Sequence, residues 1–346
     1  MTNTEGGSNP TVWLVAHGSD GEYESAALDL GIVLLGFQDV PDLTGLDEDK
    51  IGSLVSTLPS IESKSRPNVV GQMRDFAVRM KPGDFVASPL KNQPGQIALG
   101  RIVGDYQFLA LDGAGRHTRS TEWSSETIPR SAYGPGAFHY LVTKRTISRI
   151  VNEEVAAKVR DSIQGHPVPI AVSEKEESSE EASPLSVEEL ARDQISRRIR
   201  ERFPAEKLEH LVAALLEAQG FVVDESVPGK DQGVDVLAGH GPLGFDPPRI
   251  CVQVKHTSSR VGQPDVQQLH GAMQQFDADQ GLFVSWSDYT DDAKRMARLS
   301  FFSMRLWNAN DLLEAIYQRY NELPEDIRAE IPLKQVWTLV AEPSES

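Results

Sequence analysis

The chain has 346 residues, 39% hydrophobic and 25% charged, the profile of a soluble globular protein long enough for about two domains. A single cysteine excludes a disulfide framework and a cysteine-based zinc site. No apolar run reaches the roughly 18 residues of a membrane helix and no signal-type stretch follows Met1, so a cytoplasmic protein without membrane contact is expected. The net charge of −17 argues against a non-specific polyanion binder. Its distribution matters more than its sum. Residues 1–172 carry −4, residues 173–193 carry −6, residues 194–320 carry −3 and the tail 321–346 carries −4, so neither main body is strongly acidic.

The expected domains follow from these shifts: residues 1–172, an acidic Ser/Glu-rich linker at 173–193, and residues 194–346. In the first body, Thr11–Ala16 (TVWLVA) reads as a buried strand, Glu22–Leu30 as a helix and Ile32–Leu35 as a strand. Val69–Met80 has helical apolar spacing, and KPGD at 81–84 turns it into a strand at Phe85–Ala87. Ile97–Tyr106 and Ala137–Val142 read as further strands. Short strands among Gly- and Pro-rich turns suggest a small barrel-like α+β module.

The stretch SEKEESSEEASPLS (173–186) lacks aromatics and cannot bury enough apolar surface to order itself. Helical spacing resumes over Val187–Phe203, which carries Arg192, Arg197, Arg198, Arg200 and Arg202. Two readings stand for this helix: one that tracks phosphates, or a solvated amphipathic lead into the second domain. A helix at Ala205–Gln219 follows, with apolar residues at Leu208, Leu211, Val212, Leu215 and Leu216. Strands are expected at Phe221–Asp224, Val234–Leu237 and Ile250–Val254, then a helix at Asp265–Phe276, a strand at Leu282–Trp286, a helix at Asp291–Phe301, a strand at Met304–Trp307 and a helix at Asp311–Tyr320. That order implies a mixed sheet flanked by helices.

Four residues of this second body could share one site. Asp235 sits in GKDQGVDV at a strand start. Gln253 and Lys255 lie two apart in ICVQVKH and so project from one face. Glu209 lies on the preceding helix. A carboxylate, an amide oxygen and an ammonium on adjacent strands suit a hard cation such as Mg²⁺ (or Mn²⁺) and a water nucleophile directed at a phosphodiester. Polar residues alternating with Val are equally ordinary in a half-buried strand, and spacing alone does not decide. Cys251 reads as a small buried hydrophobe.

Taken in order, Glu209 in LEHLVAALLEAQGF, then GKDQGVDV, VQVKH, VQQLHGA, GLFVSWSDYTDDA and LWNANDL resemble the Mrr-type (type IV) restriction endonucleases over about residues 203–320. These are a branch of the PD-(D/E)XK nucleases whose third motif reads Gln-x-Lys. The resemblance implies an α/β nuclease fold with a mixed central sheet and Mg²⁺-dependent DNA cleavage in defence against foreign DNA. It makes Asp235 the central metal ligand. Gln253 and the Val254 carbonyl would complete the shell, Lys255 would orient the attacking water, and Glu209 would bind metal directly or through water. Replacing the usual Glu by Gln253 removes one charge. Asp231 is a weaker ligand candidate, and Gln267, Gln268 and His270 on the next helix could face DNA or simply be a polar surface.

The first body, through TVWLVAHGSDGEYE, VVGQMRDFAVRMKPGDFVASPL, IALGRIVGDYQF and EWSSETIPRSAY, is similar to EVE and PUA-like barrels over about residues 11–148. That similarity implies recognition of a modified or flipped base, which needs aromatic faces and polar edge groups. Trp13, Phe37 and Trp123 are candidates for the stack, and Glu22, Tyr23 and Ser88 for the edge; Trp13 also reads as core. The expectation is a modification-dependent endonuclease, acting on both strands as a homodimer. Two rivals are a nuclease switched on by a small nucleotide bound to the first body, and a DNA-binding protein with an inactive nuclease fold. In the tail, the apolar residues of ELPEDIRAEIPLKQVWTLV suggest a packed extension of the second body.

Overall fold

The protein is described from a computed structural model covering residues 9–111, 113–142, 145–165, 184–225, 233–257 and 259–336. The 173–183 portion of the expected linker, Asp231 and the last ten residues lie outside these. The chain divides into two compact units, one of Met1–Leu90, Gln96–Ser186 and Ala341–Ser346, the other of Lys91–Gly95 and Val187–Val340.

In the first unit, β1 (Val12–Val15) leads through α1 (Glu24–Asp29) to β2 (Ile32–Leu35), then α2 (Glu48–Thr57) and α3 (Arg66–Arg74), which a wider helical turn extends to Arg79. Arg119 donates to the Phe76 and Ala77 carbonyls in that turn, at 2.8 and 3.0 Å, which compensates for its altered hydrogen bonding. β3 (Phe85–Pro89), β4 (Gln96–Leu111), β5 (Ala114–Trp123), β6 (Ile128–Pro129), β7 (Ile147–Arg149) and α4 (Glu153–Ile163) complete it. The expected strand at Ala137–Val142 is instead a 3-10 turn over Pro135–Tyr140. Gly134, at φ 86, and a proline at the first helical position start that turn, and it buries Ala137 and Leu141 together.

The strand path β2–β5–β4–β3–β1–β7, with β6 beside β4, does not close among the described residues, so an open mixed sheet replaces the expected barrel. The reason lies in the side chains. Trp13, Val15, Val33, Leu35 and Val86 pack with Ile51, Met73 and Phe76 of the α2–α3 region, whereas Val12, Leu14, Phe85 and Ala87 pack with Val155 and Val159 of α4. Alternate residues of the same strands thus bury against helices on opposite faces, making the sheet a central layer rather than a wall round one interior.

The second unit begins within α5 (Pro184–Arg202), whose helical backbone takes up the last ten residues of the 173–193 span, and continues with α6 (Glu206–Ala218). Strands β8 (Val222–Glu225), β9 (Val236–His240) and β10 (Asp246–Lys255) follow, then α7 (Gln263–Gln275), β11 (Gln280–Ser285), α8 (Asp291–Leu299), β12 (Met304–Trp307), α9 (Ala309–Arg319) and α10 (Glu325–Glu330). The sheet order is β12–β11–β10–β9–β8, parallel across β10, β11 and β12 and antiparallel across β8, β9 and β10, the mixed sheet expected from the element order. Val236, Val252, Val254 and Val284 bury against Leu208, Leu211, Leu215, Leu312 and Ile316 of α6 and α9. Cys251 and Phe283 bury on the other face against Val266, Leu269 and Ala293 of α7 and α8. Leu323, Ile327 and Ile331 join the first of these cores, so this part of the tail packs against the second unit. Burial pushes the Cys251 thiol up to about 11, which leaves it without nucleophilic character.

Candidate nuclease site

The antiparallel register Val236↔Val252 places Asp235 opposite Gln253 at the strand ends. Asp235 is tied to β10 twice. Its N–H donates to the Val252 carbonyl at 2.8 Å, and its Oδ2 accepts from the Val254 N–H at 2.6 Å. Strand alternation then puts Gln253 and Lys255 on the face that carries Cys251 and α7. Gly233, at φ 86, lets the backbone come in close here. A Cβ at this position would fall 2.8 Å from Gln268 Nε2 and 3.0 Å from Gln253 Nε2.

Burial raises the Asp235 carboxyl pKa above its usual value, against the opposing effects of the Val254 N–H and the Lys255 charge. Glu209, in the first turn of α6, is raised too, first by burial and then by the charge of Asp235, so the two carboxylates feel each other. Gln253 is only 5% exposed, and its Oε1 is buried without a hydrogen-bond partner among the described residues. An unsatisfied buried carbonyl costs roughly 1–3 kcal/mol, which a ligand would relieve. Among the described residues no three His, Cys, Asp or Glu side chains form a metal-holding group. The available oxygens are therefore those of two carboxylates, one amide and one backbone carbonyl. That donor set fits a hard divalent cation that retains waters.

Lys255 forms an ion pair with Asp265, in the first turn of α7. Asp265 also accepts from the Gly262 N–H at 3.4 Å, closing the start of the helix. Sequence reasoning missed Asp265, although an acidic residue beside Pro264 at a helix start was a readable capping signal. Of the proposed DNA-facing residues, Gln268 lies over Gly233 beside Gln253, Gln267 is exposed and His270 is half-buried.

In the first unit the structure removes Trp13 from the stacking set. Its ring is 0% exposed, its indole N–H donates to Asp84 Oδ2 at 2.9 Å, and Arg149 covers it at 4.9 Å. It sits in a strand whose two faces are both core, so no face is open to a base. Phe37 is packed against the same core. Glu22 is exposed and accepts from the Asp20 N–H at 3.0 Å, closing its own turn. The Tyr23 ring lies under Arg116 at 4.9 Å. Trp123 donates to the Ala27 carbonyl at 3.0 Å, and its ring meets the edge of His17 at 5.7 Å. Ser88 is fully buried, and its Oγ has no partner among the described residues. His17, which sequence reasoning also missed, is similar: its Nδ1 lies 3.1 Å from the Leu34 carbonyl and its buried Nε2 has no partner. Burial pushes His17 down to about 4, so the ring is neutral. Since a carbonyl only accepts, Nδ1 carries the hydrogen and Nε2 presents a lone pair.

Residues 13–150 match a domain family of unknown function (DUF8426), and residues 200–316 match the Mrr_cat profile, described as restriction endonuclease. No curated protein matches the chain. Among solved structures, the protein of unknown function AF1548 is 19% identical with a TM-score of 0.26, covering 31% of this chain and 64% of its own. This chain therefore spans less than two thirds of AF1548. The DNA modification-dependent restriction endonuclease AspBHI is 14% identical with a TM-score of 0.33, over 87% of this chain and 79% of its own. The MspJI restriction endonuclease, solved with a 27-mer oligonucleotide, is 14% identical with a TM-score of 0.31, over 80% of this chain and 72% of its own. Residues 200–316 therefore match a restriction endonuclease domain, and Asp235, Gln253 and Lys255 all lie inside the matched segment.

Proposed function

We propose that the protein is a modification-dependent, Mg²⁺-requiring DNA endonuclease acting as a homodimer, with the first unit as the reader of the modified base and the second as the cutter. The observation that carries the nuclease reading is the buried, unpartnered Gln253 Oε1 across from an Asp235 already oriented by the Val254 N–H. Asp235, Gln253, the Val254 carbonyl and Glu209 would hold the cation, which when bound supplies Lewis acidity and neutralises phosphate charge. Lys255 presents an ammonium to the negative charge that develops as water attacks phosphorus and the P–O bond to the leaving oxygen breaks. Asp265 holds that ammonium in place. In the first unit, the unpartnered His17 lone pair and the Trp123 ring, their centroids 5.7 Å apart, would suit a base edge better than Trp13 does.

The test is full-length protein with Mg²⁺ on modified and unmodified duplex DNA, alongside Lys255→Ala. Mg²⁺-dependent cleavage of modified DNA alone, lost in the variant, is expected. Equal nicking by both proteins would refute the site, and cleavage indifferent to modification would refute the reader.

A further inference from the structure

The arginines of α5 have partners, with one exception. Arg192 pairs with Glu314 and Asn310, Arg197 lies 4.0 Å from Glu201, and Arg202 lies 3.8 Å from Glu330. Arg198 donates to the Glu330 carbonyl at 2.8 Å. Arg200 has neither an acid nor a carbonyl partner among the described residues, and its Nε is buried. Its guanidinium sits over the Trp286 ring, 5.8 Å from the centroid. Burial lowers its pKa, with no nearby carboxylate acting to raise it.

Trp286 adds a second, independent observation. It is 3% exposed and its indole Nε1 is buried without an acceptor. Two side chains in contact, one of them cationic, thus each carry a buried N–H donor with nothing to accept from it among the described residues. An Arg–Trp stack accounts for the ring contact but leaves both donors unsatisfied. The location is also informative. Trp286 immediately follows β11, and its backbone N–H donates to the Lys255 carbonyl at 3.1 Å. The pair thus lies at the carboxyl end of the parallel β10–β11 pair, where open α/β sheets bind ligands. Trp286 continues the Val284 face, whereas Lys255 shares the face of Cys251, so the two groups straddle the strand end.

We propose that Arg200 and Trp286 form an anion subsite for a phosphodiester oxygen, placed to hold a phosphate flanking the one that is cleaved. The forked guanidinium and the indole N–H supply donors only, which selects an acceptor-rich anion, and a planar fork matches phosphate geometry. This subsite rests on the nuclease reading for its natural ligand but not for its chemistry.

The experiment has two arms on the full chain. In the first, labelled duplex DNA is titrated in Ca²⁺ across a salt series. Arg200→Met is expected to weaken binding on the order of tenfold and to flatten the log–log salt dependence by about 1, the loss of one phosphate contact. Arg200→Lys should keep the slope while losing affinity, because it keeps the charge without the fork. Trp286→Phe, which keeps a ring and loses the N–H, should also weaken binding with the slope unchanged, and Arg198→Met should leave the slope as in the wild type. In the second arm, inorganic phosphate at matched ionic strength should raise the melting temperature of the wild type and not of Arg200→Met. Unchanged slope and affinity in a folded Arg200→Met, with phosphate protection equal to wild type, would overturn the subsite. Phosphate protection specific to Arg200 in a protein that neither binds nor cuts DNA would sustain the subsite and sink the nuclease reading.

Discussion

The Lys255 ammonium is ion-paired with Asp265, and the same carboxylate reaches the Gly262 N–H at 3.4 Å. One side chain therefore ties the Gln-x-Lys strand to the start of α7. One turn further along, Gln268 lies over Gly233, on the same side as Gln253. Asp265→Asn should lower the cleavage rate on the order of tenfold with KM nearly constant, because it frees the ammonium without removing a substrate contact. Asp265→Glu should restore part of the rate. Steady-state kinetics check this, and a change confined to KM would count against a positioning role.

Gln253→Glu would put a third carboxylate where burial already raises both Asp235 and Glu209 and the Asp235 charge raises Glu209 further. In EDTA the variant should melt lower than wild type, through like-charge repulsion. With Mg²⁺ it should gain more than wild type. A cation at a hundred times its dissociation constant adds about 2.7 kcal/mol, so tighter binding appears directly as a larger Mg²⁺-induced rise in melting temperature.

The pH dependence of metal binding follows from the same pair. Asp235 and Glu209 both titrate above ordinary carboxyl values. Protons therefore compete with metal at a higher pH than for exposed carboxylates, and Mg²⁺ affinity should fall as pH drops through that raised range. Without metal the sign reverses. A carboxyl that holds its proton more tightly folded than unfolded stabilises the fold at low pH, and this contribution is lost as pH rises from the unfolded pKa through the folded one. Isothermal titration with Mg²⁺, and hydrogen exchange of peptides from residues 200–316 in EDTA, each across pH 4–7, should give opposite trends, a local readout that leaves out the buried histidines of the first unit.

Two buried histidines govern the acid stability of the first unit. Burial pushes both His17 and His117 down to about 4, and His117 is held neutral between the Tyr106 hydroxyl at 2.8 Å and the Val40 carbonyl at 3.1 Å. Unfolded histidines take up protons near pH 6.5, so stability should be lost as pH falls from there to about 4. The cost is about 3 kcal/mol for each ring. Hydrogen exchange of peptides from residues 11–150 should show protection collapsing over that window, and His117→Gln should flatten the decline. A flat profile in the wild type would show that these rings are not held neutral.

Local periodicity in the sequence determined a good deal on its own. The alternation in ICVQVK put Gln253 and Lys255 on one face, the 208–216 spacing marked the apolar stripe of α6, and the order of motifs pointed to the nuclease family before any contact was known. Periodicity states which residues share a face, but it does not state which distant element covers that face. Only the tertiary structure brought Asp265 to Lys255, set Arg200 over Trp286 and let the charge of Asp235 act on Glu209. The same limit explains Trp13. An apolar run reads alike as pocket wall or core, and helices packed on both faces of the first sheet decided for core. The charge of −17 is similar in kind. Its sum argued against nucleic acid, while the donors that suit a phosphate are one arginine left without an acid and one indole N–H, a distinction that only packing can make.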